Sequence, residues 1–238
     1  MTMKIVAFIA HPDYTELFFG GTVIKHAERG DEVYIVSISP GEMGHPTIPP
    51  EELAKIRTKE LEEAAKIEGV KEVRVLSFKD TEIFNTPELR MKIAEIIREL
   101  KPDIVITHWP NDCASDLKNT GQAVIDACLL AYLGAFKTKH PPHMVGKIYT
   151  FEVPSTSIDF EPDIFIDITS VIDKKIEASK CHRSMIELFG MGSMEAWTSG
   201  VRGRSRYWGL KSRVMYAEAF KEVNVPFAGK KAMEYLPI

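Results

Sequence analysis

Residues 4–21 read KIVAFIAHPDYTELFFGG: an apolar run, a polar turn broken by proline, and a pair of glycines. Ile5, Val6, Phe8 and Ile9 carry the continuous β-branched and aromatic pattern of a strand buried on both faces. Pro12 has no backbone donor and stops further ladder pairing. Thr22-Val23-Ile24-Lys25-His26 then reads as a helix running toward Gly30. Strand, turn and helix in that order place His11, Asp13 and Glu16 at the carboxyl end of a parallel strand, where open α/β sheets bind ligands. An imidazole and two carboxylates at such a place are the groups of a metal site or an acid–base pair. Taken alone, His11 is better read as part of a capped turn; the case for chemistry rests on the group.

The same alternation continues outward from this stretch. Glu32 to Ser39 is a second buried strand, and Pro40 to Pro46 is a loop punctuated by glycine and proline. A helix after Pro49-Pro50, with Leu53, Ile56, Leu61, Ala64, Ala65 and Ile67 on one face, stops at Gly69. Val73 to Ser77 is a third strand that ends in Phe78-Lys79-Asp80. Thr86 and Pro87 start the next helix, which runs to Leu100, and Ile104 to Thr107 is a fourth strand. Repeated strand–helix–strand units predict a three-layer, Rossmann-like α/β/α fold with a mostly parallel sheet. Right-handed crossovers put every strand's carboxyl end on one rim.

A second polar loop, His108 to Asp116, follows the fourth strand on that rim and leads into a helix from about Asn119. Two such loops should face one crevice, which joins His11, Asp13 and Glu16 to His108, Asp112 and Asp116. Past Lys137 the alternation loosens. Lys147 to Val153 and Ile164 to Ile168 read as strands, Val171 to Phe189 as a helix, Gly190 to Gly203 as loop and Tyr207 to Phe220 as a last helix. Without an internal repeat or a linker-like segment, the 238 residues read as one domain, 1–238.

The formal charge of -4 argues against nucleic acid or an anionic membrane as partner. Three cysteines without CxxC spacing, no apolar run long enough to span a bilayer and no leader-like start predict a reduced, cytoplasmic protein. Scarce amides and helices dense in Glu and Lys are habits of thermophile proteins.

On these residues the chain resembles the LmbE/PIG-L family of zinc-dependent de-N-acetylases. The resemblance is carried by Ala10-His11-Pro12-Asp13 with Gly20-Gly21-Thr22, by Pro40 to Gly44 with Arg57 and Glu60, and by Leu76 to Asp80. Thr107 to Asp112, Asn119-Thr120-Gly121, Lys180 to Ser184 and Tyr216 to Phe220 extend it nearly end to end. It implies a small N-acetylated sugar or sugar conjugate as substrate, a divalent ion, usually Zn²⁺, and a homo-oligomer. It also implies Asp13 as general base, with Arg57 and Asp80 serving substrate hydroxyls. Two family metal-ligand positions depart from the pattern: Tyr14 stands where the family has an aspartate, and Ala114-Ser115-Asp116-Leu117 where it has His-x-Asp-His. Of the usual three ligands only His11 is kept, and one imidazole does not hold zinc usefully.

Three readings follow. One is a hydrolase with a rearranged or weakened ion site drawn from His11, Glu16, His108, Asp112 and Asp116, with Asp13 as base and Tyr14 as oxyanion donor. The second is a pseudoenzyme that binds a sugar without cleaving it. The third is a metal-free lyase or hydratase using Tyr14 and Asp13 as acid and base, and it ranks last.

Overall fold

The computed structural model describes residues 2–189 and 192–223. Among these residues seven strands form one sheet: β1 (Lys4–Ile9), β2 (Glu32–Ser37), β3 (Glu72–Val75), β4 (Ile104–His108), β5 (Lys147–Phe151), β6 (Ile164–Asp167) and β7 (Ala217–Val223). Their order is β3-β2-β1-β4-β5-β7-β6. The first five run parallel, and β7 lies antiparallel between β5 and β6. Ile5 to Ile9 are almost wholly shielded from solvent, as a strand in the middle of a covered sheet requires.

The helices are α1 (Gly20–Glu28), α2 (Pro50–Glu68), α3 (Pro87–Leu100), α4 (Ser115–Tyr132), α5 (Ile172–Ser179), α6 (Arg183–Phe189) and α7 (Met194–Ser212). α3 packs with α4, and α5 packs with α1, α2 and α7, which gives the sheet a helical layer on each face. The chain builds outward from β1 to β3 and then crosses back to place β4 on the other side of β1. That reversal opens a crevice at the carboxyl ends of β1 and β4. None of the described helices is long and apolar enough to cross a membrane.

The C-terminal third differs from the sequence-based expectation. Tyr207 to Phe220 is not one helix: α7 stops at Ser212, where Arg213 takes a left-handed φ of 62° and its N–H caps Gly209. Ala217 to Val223 then becomes a strand, because helix-forming side chains are overruled by ladder bonds to β5 and β6. Within the stretch expected to be loop, α7 begins at Met194 with Ser193 accepting from the Ala196 N–H at 3.1 Å; Gly190 lies outside the described residues. Val171 to Phe189 is broken into a short 3-10 turn, α5 and α6. The helix expected from Asn119 starts earlier, at Ser115.

Gly121 marks where α4 meets the end of β4 most tightly. A Cβ there would sit 2.4 Å from the His108 carbonyl oxygen. Backbone cannot yield as a side chain does, so Gly121→Ala is expected to cost about 1–3 kcal/mol. Urea denaturation of the variant against the parent measures it.

Candidate active site

The crevice is built by four segments. After β1, Pro12 ends the strand and Asp13 turns at a φ of 90°, a conformation that side chains other than glycine rarely adopt. Arg57, reaching in from α2, holds this turn. Its Nη2 donates to the Pro12 carbonyl at 2.8 Å and to Asp13 Oδ1 at 3.0 Å, and its Nη1 donates to the Gly41 carbonyl at 2.7 Å. Burial pushes the Asp13 carboxyl above its ordinary pKa, although the charges of Arg57, His182 and His11 oppose the shift.

His11 Nε2 lies 2.9 Å from Asp80 Oδ1 and 3.0 Å from Asp116 Oδ2. Asp80 stands on the segment after β3, where its own N–H donates to Glu42 and its Oδ2 accepts from the Met43 N–H. Asp116 belongs to the first turn of α4 and accepts from the Thr81 and Ile83 N–H groups at 2.8 and 3.3 Å. The carboxylates therefore pin the segments that carry them. Burial draws the His11 pKa down, but the hydrogen bonds to Asp116 and Asp80 and the Asp80 charge outweigh it and raise it to about 9. Burial favours a neutral Asp80, yet His11, the Met43 N–H and Arg57 together hold it below the usual carboxylate range.

The raised imidazole fixes the sign of a pH effect. Without metal, the His11 contribution is complete below the unfolded pKa near 6.5 and is lost as pH rises through about 9. Chelated protein is therefore expected to lose about 3 kcal/mol between those limits. His11→Gln should flatten that slope when chemical denaturation is repeated across the same pH range.

The residues that the sequence points to are not all gathered here. Glu16 turns away on the single π-helical turn Thr15–Phe19 and pairs with His182 at 3.0 Å, both wholly buried. Asp112 ties its oxygens to the Ala114 N–H and to the Thr156 and Ser157 hydroxyls, so it closes a loop against the segment after β5. His108 Nε2 accepts the Ala10 N–H at 3.0 Å, which leaves the proton on a buried Nδ1. Burial and the His11 charge hold that ring well below the ordinary histidine pKa. Its faces are occupied by Tyr14, edge-on at 4.7 Å, and Phe151 at 4.6 Å. Tyr14 also lies 5.9 Å from the His11 ring, and burial raises its phenol pKa, so it stays a proton donor. Leu117 is buried in the main core.

His11, Asp80 and Asp116 bring one ligand atom each within 4.8 Å of one another. One imidazole nitrogen and two carboxylate oxygens form a donor set suited to Zn²⁺, Mn²⁺ or Fe²⁺. These residues fit a divalent ion; positions 14 and 117 do not. The sequence points to Asp80 as a substrate contact, whereas its approach to His11 joins residues far apart in the chain. Its place after a parallel strand is the one signal that the sequence offers for the ion role.

The family model described as PIG-L, GlcNAc-PI de-N-acetylase, matches residues 6–128. A diacetylchitobiose deacetylase of Thermococcus kodakarensis is 30% identical over 233 residues, covering 92% of this chain and 83% of that protein. A 4-oxalmesaconate hydratase of Pseudomonas putida is 26% identical over 215 residues, covering 86% and 83% of the two chains. The solved N,N'-diacetylchitobiose deacetylase of Pyrococcus horikoshii superposes with a TM-score of 0.81 at 27% identity, over 95% of this chain and 86% of that one.

Proposed function

Because this chain belongs to the PIG-L family of de-N-acetylases, also called LmbE-like, we propose that it hydrolyses the acetamide of an N-acetylated amino sugar or sugar conjugate. The observation that carries this reading is the His11–Asp80–Asp116 group beside the strained, Arg57-held Asp13. A divalent ion held by His11, Asp80 and Asp116, once bound, supplies Lewis-acid polarisation of water and of the amide carbonyl. Asp80 thus moves from the substrate role read in the sequence to the ion, in place of the family's residues 14 and 117.

Asp13 takes the proton from the attacking water. Its raised pKa brings it closer to the working pH, where a general base is most effective. The carbon–nitrogen bond breaks as Asp13 returns that proton to the departing amine, leaving acetate and a free amino sugar. Tyr14, kept protonated by burial, offers its O–H to the oxygen on which charge develops. Arg57 uses both terminal nitrogens on Gly41, Pro12 and Asp13, so its part is to position the base rather than to meet the sugar.

The hydratase relative supports a second reading, addition of water to an unsaturated small acid, in which Tyr14 and Asp13 serve as acid and base. We also read residues 1–238 as one domain, working as a homo-oligomer in a reduced compartment; Cys113, Cys128 and Cys181 are free thiols.

Acetate release from N-acetylglucosamine, its β-1,4 dimer and an N-acetylglucosaminyl malate tests the proposal, with bound metal measured by elemental analysis. Asp80→Ala and Asp116→Ala should each lose metal and activity together. A fully metallated parent that releases no acetate from any of the three, yet binds them, is the pseudoenzyme and overturns the deacetylase reading. Release of acetate that continues unchanged in metal-free protein overturns the ion site.

A further inference from the structure

A cavity of about 620 Å³ lies between α7 and the β5–β6 connection, outside the group of residues assigned above to the reaction. We propose that it is a second saccharide subsite, which takes a pyranose ring of the substrate remote from the scissile amide; this rests on the deacetylase reading. The volume falls within the range of small-molecule sites. Its walls combine what a sugar ring asks for. Tyr207, 49% exposed, and Phe160 give aromatic surface for the apolar C–H face of the ring. Glu152 gives a carboxylate to accept from hydroxyls, and Lys211 an ammonium to donate to them. Lys211 Nζ already hovers 5.0 Å from the Tyr207 ring and 5.2 Å from the Trp208 ring.

Two wall residues carry donors that the protein leaves unused. Arg204 Nη1 and Trp208 Nε1 are buried and have no hydrogen-bond partner among the described residues. Native structures rarely leave such donors unmatched, and a ligand rich in oxygen is one remedy. With two glutamates and two cations lining it, the cavity has no net charge that would select a strongly anionic ligand. A neutral polyol suits it better.

The position fits one extended substrate. The Arg204 guanidinium stacks 4.2 Å from the Phe18 ring, Phe18 lies 5.6 Å from Tyr14, and Tyr14 lies 5.9 Å from His11. Three ring contacts thus join the cavity to the reacting group, within reach of a short oligosaccharide. Glu152 directly follows β5, so one wall of the cavity stands at the carboxyl end of a strand parallel to β1 and β4.

Tyr207→Ala tests this, because an exposed side chain is removed with little risk to folding. With N-acetylglucosamine and its β-1,4-linked trimer as probes, the parent should favour the trimer in kcat/KM. The variant should lose about tenfold on the trimer, through KM, and nothing on the monomer; Tyr207→Trp should restore it. Saturation-transfer NMR of trimer binding, in an Asp13→Asn background with and without Tyr207→Ala, reads the subsite independently of turnover. If the trimer binds through Tyr207 but no acetate is released by the parent, the subsite stands and the deacetylase reading falls. If acetate is released but Tyr207→Ala leaves trimer KM and binding unchanged, the subsite is overturned. It is equally overturned if the substitution instead converts an oligomer to monomers while trimer KM stays constant, since the face would then serve contact between copies.

Discussion

Asp13→Asn is expected to reduce kcat for acetate release by about 10³-fold, the contribution typical of a well-placed general base. The substitution separates chemistry from architecture. Asparagine tolerates the positive φ of 90° at this turn at least as well as aspartate, and its amide oxygen still accepts from Arg57 Nη2. The fold and the His11–Asp80–Asp116 group should therefore persist, and metal content should match the parent. Acetate release under single turnover, read alongside elemental analysis and thermal melting, makes the measurement. A variant that keeps more than a tenth of the parental rate with its metal in place would show that another group takes the proton.

Lys175→Met should have the largest effect on stability. Lys175 Nζ lies 2.6 Å from Glu218 Oε1, with the two side chains 1% and 2% exposed. The same carboxylate accepts from the Gly21 and Thr22 N–H groups at 2.8 and 2.7 Å and from the Thr22 hydroxyl at 2.6 Å. Removing the ammonium leaves a buried carboxylate whose remaining hydrogen bonds come from neutral donors, with the Arg204 charge acting without a hydrogen bond to it. Breaking one side of such a pair costs about 3–5 kcal/mol. Adding Glu218→Gln should recover only part of the loss: it removes the unpaired charge and its oxygen keeps the Thr22 donors, but its NH2 then faces the Gly21 N–H. Urea denaturation of both variants decides it: a single-variant loss below about 1 kcal/mol would mean that water already relieves the site.

The parallel half of the sheet is legible in the sequence because its strands are unbroken apolar runs with turn residues at each end. Ile5 to Ile9 and Ile104 to Thr107 need no partner to be recognised. Ala217 to Phe220 carries helix formers, and only its place between β5 and β6 makes it a strand. α7 is hidden by Gly200 and Gly203, which read as loop but lie inside the helix.

The candidate site follows the same division. His11 and Asp116 stand out because each lies on a polar segment that follows a buried parallel strand. Glu16 falls in with them in sequence, three residues after Asp13, yet the π-helical turn rotates it toward His182. Asp112 is claimed by Thr156 and Ser157, and His108 by the Ala10 N–H. Such pairings join residues 44 to 166 positions apart, and no local pattern announces them.

The antiparallel seating of β7 between β5 and β6 also orders events on the ribosome. Among the described residues β6 has β7 as its one strand neighbour in the sheet, so residues 164–167 wait for residues 217–223 to leave the exit tunnel before they pair. His11, Asp80 and Asp116 all lie on chain made well before that moment. The nascent protein can thus bring His11, Asp80 and Asp116 together on the parallel strands before β6 and β7 pair. Glu218 rides on β7, so the anchor for the start of α1 arrives with that ladder.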